Sequence, residues 1–211
     1  MPALLATIRE RLRIDLKDPD LQRWSDSVLD RHIARTVSEY GRVLPREQAS
    51  LLATEAASRF LDVSSLVDMS EIEAIEYPAD RYPRSFVAFT SWAGACELLV
   101  DREPEGDDAR VYWHGAHALS LSESSIRTED EEIIVAGAAA YALLEYGQYS
   151  VDRINLGGDD ADGEYHRQGR AFLQRYEAML DELRQKRGIL SGRMYSLSAP
   201  AVAQRDVVGE P

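Results

Sequence analysis

The chain has one cysteine, two lysines and no apolar run of membrane length. A lone thiol, Cys96, cannot make an internal disulfide, so burial has to hold the fold together. No apolar run approaches the roughly 18 residues of a membrane span, which predicts a chain without one. The start, Met1-Pro2-Ala3-Leu4-Leu5-Ala6-Thr7-Ile8-Arg9-Glu10, brings charge before any long apolar core. That predicts no signal peptide and synthesis in the cytoplasm. Cations are scarce: 24 Lys plus Arg stand against 37 Asp plus Glu, for a formal charge of −13. Bulk nucleic-acid binding needs clustered Lys and Arg to displace counterions, so the balance argues against it as the main role. It leaves room for a surface past which DNA slides.

The motifs of common chemistries are missing as well. The sequence has no G-x-x-x-x-G-K-[ST], no G-x-G-x-x-G and no G-x-S-x-G. His114 and His117 are three apart on a stretch that reads as a strand, where odd spacing sends two rings to opposite faces. Asp160-Ala161-Asp162-Gly163 resembles the middle of a calcium loop, but the end ligands would fall on Gly158 and Gly169. Acids opening a helix explain that run better. His32 reads as a bonded residue at the core edge, His166 as a solvated first-turn residue and Cys96 as a small core residue. Trp24, Trp92 and Trp113 read as buried anchors. No catalytic, cofactor-binding or metal residue is assigned, no cofactor is expected, and the expectation is a protein that is not an enzyme.

What is present is periodicity. Leu4, Ile8 and Leu12 form a stripe over 3–16, which Asp18-Pro19 ends. After Trp24-Ser25-Asp26, Leu29, Ile33, Val37, Tyr40 and Leu44 recur at helical steps, with Ser25 as the expected N-cap and Pro45 as the stop. From about 47 to 122 short apolar runs alternate with turn residues, predicting strands near 58–63, 72–77, 84–89, 96–100 and 109–114. Thr128-Glu129-Asp130-Glu131 matches a capping box before the apolar, alanine-rich run Ile133 to Leu144. Phe172, Leu173, Tyr176, Leu180 and Leu183 predict a last helix over 164–187, ended by Gly188.

These patterns predict an α+β fold, mainly α: a helical bundle of about four helices with an inserted small antiparallel β-sheet or barrel. Residues 1–187 form one domain, with its frame at 3–45 and 128–187 and its β insertion at about 47–122. Residues 188–211 form an extended C-terminal tail, too apolar for an ordinary linker and too short to fold alone. Charge is uneven: 46–127 holds 7 Arg and no Lys against 15 acids, a net −8, whereas the tail is neutral.

The order of these pieces resembles the head–tail connector (adaptor) family of tailed bacteriophages. The residues that carry the likeness are Trp24-Ser25-Asp26-Ser27-Val28-Leu29 with Tyr40 and Pro45, and Tyr112-Trp113-His114-Gly115 with His117. Thr128-Glu129-Asp130-Glu131 before Ala136-Gly137-Ala138-Ala139-Ala140, and Tyr165, complete it, so it spans roughly 20–187. The resemblance implies a virion neck protein assembled in the host cytoplasm. It implies a ring of twelve copies under the portal protein that extends the DNA channel and meets the next neck or tail protein. DNA would be passing cargo only. The tail would reach the portal, which assigns docking to Ile189, Leu190, Arg193, Met194, Tyr195, Leu197 and Val202. A stopper or tail-completion protein and a small acid–base hydrolase are the alternatives.

Overall fold

The computed structural model describes residues 2–20, 22–92, 95–151 and 161–194. Two helices open the chain, α1 (Leu5–Asp15) and α2 (Asp26–Val43). Six strands follow: β1 (Arg46–Ala53), β2 (Phe60–Leu61), β3 (Met69–Glu76), β4 (Phe86–Trp92), β5 (Ala95–Leu99) and β6 (Asp108–Gly115). A short 3-10 turn, Thr128–Asp130, leads into α3 (Glu131–Val151) and α4 (Ala161–Met194). Among the described residues, no helix is long and apolar enough to cross a membrane.

The sheet corrects the expectation of a mainly helical bundle with a small sheet. All six strands join one antiparallel sheet, ordered β1-β6-β3-β4-β5-β2 and curled into a half-barrel. Strand makes up 24% and helix 44%, so the sheet is a second architectural layer. The missed element is β1. Its sequence, Arg46-Glu47-Gln48-Ala49-Ser50-Leu51-Leu52-Ala53, has no β-branched or aromatic residue and favours helix by composition. Pairing with β6 along its whole length overrides that preference.

The frame forms as its periodicity demands. Ile8, Leu12, Leu29, Ile33 and Tyr40 are buried against α3, whose Ile134, Ala138, Ala139 and Ala142 are fully covered. Alanine lets the backbones approach, and at Gly137 they come closer still. A Cβ there would lie 2.6 Å from Thr36 Cγ2 and 2.8 Å from Tyr176 Cε2. The Trp24 indole donates to the Ala142 carbonyl at 3.2 Å, and the Asp18 carboxylate accepts from the backbone of Gln22, Arg23 and Trp24. Those three bonds outweigh burial and hold Asp18 below its ordinary range.

Two expected caps act differently. Ser25 sits at the N-cap of α2 without a side-chain cap bond. The Thr128 to Glu131 box does not close on itself. Glu131 instead accepts from the Ala3 amide at 2.6 Å and from Arg11 at 2.7 Å, tying α1 to the start of α3.

Gly188 does not end the last helix, which continues to Met194. One glycine costs a helix interior only about 1 kcal/mol, and the next proline is Pro200. Residues 188–194 are therefore helix rather than tail.

Candidate functional site

The pleat sorts the sheet into two faces, and strand register identifies them. Ile75, Val111, Leu61, Cys96 and Leu98 point inward to a closed core with Ile72, Ala109 and Trp113. Burial pushes the Cys96 thiol above its ordinary value, which leaves it inert as a nucleophile. Residues directly opposite one another in a ladder share a face. Ala88 opposes Leu99, Thr90 opposes Glu97, and Phe60 also opposes Glu97. Glu76 opposes Phe86 and Arg110, and Arg110 opposes Leu51.

The outer face thus presents Leu51, Phe60, Phe86, Trp92 and Leu99 together, from one sheet edge to the other. Trp92 is 83% exposed, Phe60 61%, Leu99 54% and Leu51 50%. No described element covers Leu51, Phe60, Trp92 or Leu99, and Phe86 packs on the Tyr112 ring of the same sheet. An apolar patch of this kind on a globular domain marks a binding surface, and exposed Trp and Phe are the side chains that anchor one. Polar groups sit among them. Tyr112 donates to the buried Glu76 carboxylate at 3.1 Å, and Arg110 pairs with Asp80 at 2.5 Å.

Sequence reasoning missed this face. It expected Trp92 to be a buried anchor, as Trp24 and Trp113 are. The signal was available in the alternation Phe86, Ala88, Thr90, Trp92 against Val87, Phe89, Ser91, in which Trp92 shares parity with Thr90.

A cleft of about 700 Å³ separates frame from sheet, bordered by α2, the end of β6 and Arg187 of α4. Both His114 and His117 border it, contrary to the expectation of opposite faces. β6 stops at Gly115, so strand parity does not extend to His117. His117 Nε2 lies 2.7 Å from the Leu44 carbonyl and Nδ1 lies 3.0 Å from Ser125 Oγ. Its ring packs on Tyr40, whose hydroxyl donates to Asp130 at 2.7 Å. Ser125 Oγ is itself tied to the Ala118 backbone, accepting from its amide at 2.9 Å, so it serves the loop after β6. With Nε2 on the carbonyl that ends α2 and Nδ1 on this loop, the histidine straps the frame to the sheet. His114 has Glu73 at 3.3 Å and Glu71 at 3.8 Å. No cluster of three or more His, Cys, Asp or Glu with the spacing to hold a metal occurs among the described residues.

Inside the frame, Glu39 accepts from Tyr141 at 2.8 Å, Tyr176 at 3.0 Å and Arg35 at 3.1 Å. Burial alone would raise this carboxyl, but the three donors hold it below its ordinary range. Burial and Glu39 push Tyr141 up to about 12 and Tyr176 upward too. His32 is buried with its Nε2 2.8 Å from a Glu145 carboxylate oxygen, a close contact rather than a well-angled hydrogen bond.

Burial pushes both His32 and His117 below 6.5, although Glu145 pulls the first and the Leu44 carbonyl the second partly back. Their neutral forms belong to the fold, while the unfolded chain protonates them near the ordinary value. Stability is therefore expected to be level above pH 6.5 and to fall as pH drops below it, by at most about 1.4 kcal/mol per pH unit per group. Asp18 and Glu39 are held below their ordinary values, so their loss comes in a separate window below about pH 4.5. Urea midpoints across pH 2–8 resolve the two steps. A flat profile between pH 6.5 and 5 would contradict the assignment.

Of the seven residues assigned to docking, Ile189, Leu190, Arg193 and Met194 fall on the last turns of α4. Tyr195, Leu197 and Val202 lie outside the described residues. Compared with protein-family models and with curated proteins, the chain matches none.

Proposed function

We propose that this chain is a structural head–tail adaptor of a tailed phage or phage-derived particle. It forms a ring, twelve copies by family resemblance, beneath a portal protein and above the next neck or tail protein. The observation that carries the reading is the outer sheet face with Leu51, Phe60, Phe86, Trp92 and Leu99 exposed. The frame and the sheet each close their own core, so this face is surplus to folding. A ring subunit needs such surplus surface for its neighbours.

Two further features support it. The sheet region carries a net −8 over 46–127, and like charge lets DNA phosphates pass without being trapped. α4 spans about 50 Å by its 34 residues and delivers the C-terminal segment to the sheet end of the frame. Arg187, seven residues before its end, donates to the Val43 carbonyl at 2.8 Å, where α2 hands over to β1. The apolar segment beyond Met194 docks on the portal.

Removing residues 195–211 tests this. The deletion leaves every described residue of both cores in place, so the melting temperature is expected to stay within about 2 °C of the full chain. Co-sedimentation with portal rings is expected to vanish. Undiminished binding by the shortened chain would sink the docking assignment.

A further inference from the structure

β1 is an edge strand without the usual protection. Among the described residues it ends the sheet order and pairs only with β6. Its register runs from Arg46 opposite Gly115 to Ala53 opposite Asp108 with no bulge. It contains no proline, and from Gln48 to Ala53 it contains no charge. Natural sheets blunt an open edge with one or more of these devices, because bare amides and carbonyls attract another strand.

The direction of those groups can be read from neighbouring bonds. The Thr54 amide donates to the Asp107 carbonyl at 3.4 Å, in the same register as β1 and β6. The Ala79 amide donates to the Asp108 carbonyl at 2.8 Å from the other side of β6. Both bonds set one alternation. The even-numbered residues of β1 turn their backbone to β6, and Glu47, Ala49, Leu51 and Ala53 turn theirs outward. No described residue bonds to these four outward N–H and C=O pairs.

We infer that β1 pairs antiparallel with β1 of a second copy across a twofold axis at Ser50. In that register Glu47 faces Ala53 of the other copy, and Ala49 faces Leu51. All four outward residues of each copy then find a partner. Shifting the register by two residues either way leaves one of the four unmatched, and an odd shift would pair inner with outer side chains. No like charges oppose each other, and Leu51 gains apolar cover from the facing alanine. The opposite sheet edge, β2, has only two residues and cannot match an eight-residue strand, which disfavours head-to-tail sheet extension. The antiparallel arrangement puts the two helical frames at opposite ends of the joined sheet.

This pairing does not rest on the adaptor reading. A twofold contact cannot close a cyclic ring, so it belongs to the free chain. Light scattering on the full chain is expected to show a dimer that dissociates on dilution. Leu51→Pro removes an outward amide and leaves the β6 ladder whole. It is expected to weaken dimerisation about ten- to hundredfold with its melting temperature within about 2 °C of the parent. Ser50→Cys places two thiols across the axis at about 4.5 Å between Cα atoms, close enough for a disulfide, while Cys96 is fully buried and stays silent. Oxidation is expected to yield a covalent dimer. A monomer at every concentration, a dimer indifferent to Leu51→Pro, or no Ser50→Cys cross-link would each overturn the inference. Ala49→Pro removes the neighbouring outward amide and leaves every apolar anchor of the outer face in place; it is expected to weaken the dimer alike with portal binding unchanged, so failure here and failure of the adaptor reading are told apart.

Discussion

Leu98→Ala is expected to destabilise the protein by about 2–5 kcal/mol, while Leu99→Ala one position on stays within about 0.5 kcal/mol. Both residues lie on β5, and the pleat separates them. Leu98 is fully buried in the sheet core, whereas Leu99 is 54% exposed on the outer face. Truncating Leu98 opens a cavity among Leu61, Cys96 and their neighbours, in a core that closed packing keeps from collapsing freely. For a chain of this size each kcal/mol moves the melting temperature by roughly 2–4 °C, so Leu98→Ala should lower it by about 4–20 °C. Equal shifts for the two variants would mean that the outer face is covered, and the candidate site would be lost with it.

The second large effect is on assembly. Phe60→Ser together with Trp92→Ser removes two exposed aromatic side chains that touch neither core. The melting temperature is expected to hold or rise slightly, since no buried contact is lost. Incorporation into portal-bound rings is expected to fall by about a thousandfold. That figure assumes roughly 2 kcal/mol for each of two interface anchors. Quantitative co-sedimentation of the double variant with portal reads it directly. Full incorporation would show that the face is a bystander.

The helical frame was largely legible in the sequence, and the reason is periodicity. Leu29, Ile33, Val37 and Tyr40 announce α2 because apolar residues at steps of three and four share one face of a helix but no single face of a strand. The alanine-rich run of α3 announces close helix contacts in the same way. The end of α4 was misjudged at Gly188, where local propensity was too weak a stop for a helix already propagating. β1 was illegible because its composition favours helix and only its partner β6 makes it a strand. The Glu131 contacts were hidden for a related reason: the bonded groups on Ala3 and Arg11 are more than a hundred residues away. The outer face was half legible. Its alternation is in the sequence, but whether an alternating face is covered depends on what packs against it. The strand-to-loop change after Gly115 likewise decided where His117 points.

The charge pattern bears on the same surface. Glu47, Glu97 and Asp108 flank the exposed apolar residues on the outer face, with Arg110 among them. A partner surface rich in arginine would meet both features, and its association would slow as salt rises.

Electron microscopy of the full chain mixed with its portal tests the central claim most directly. The expected image is a second ring of density under the portal, with the curled sheets at its subunit contacts and the end of α4 directed at the portal. A portal that stays bare at saturating chain, or a chain that consumes a substrate in its place, would contradict it.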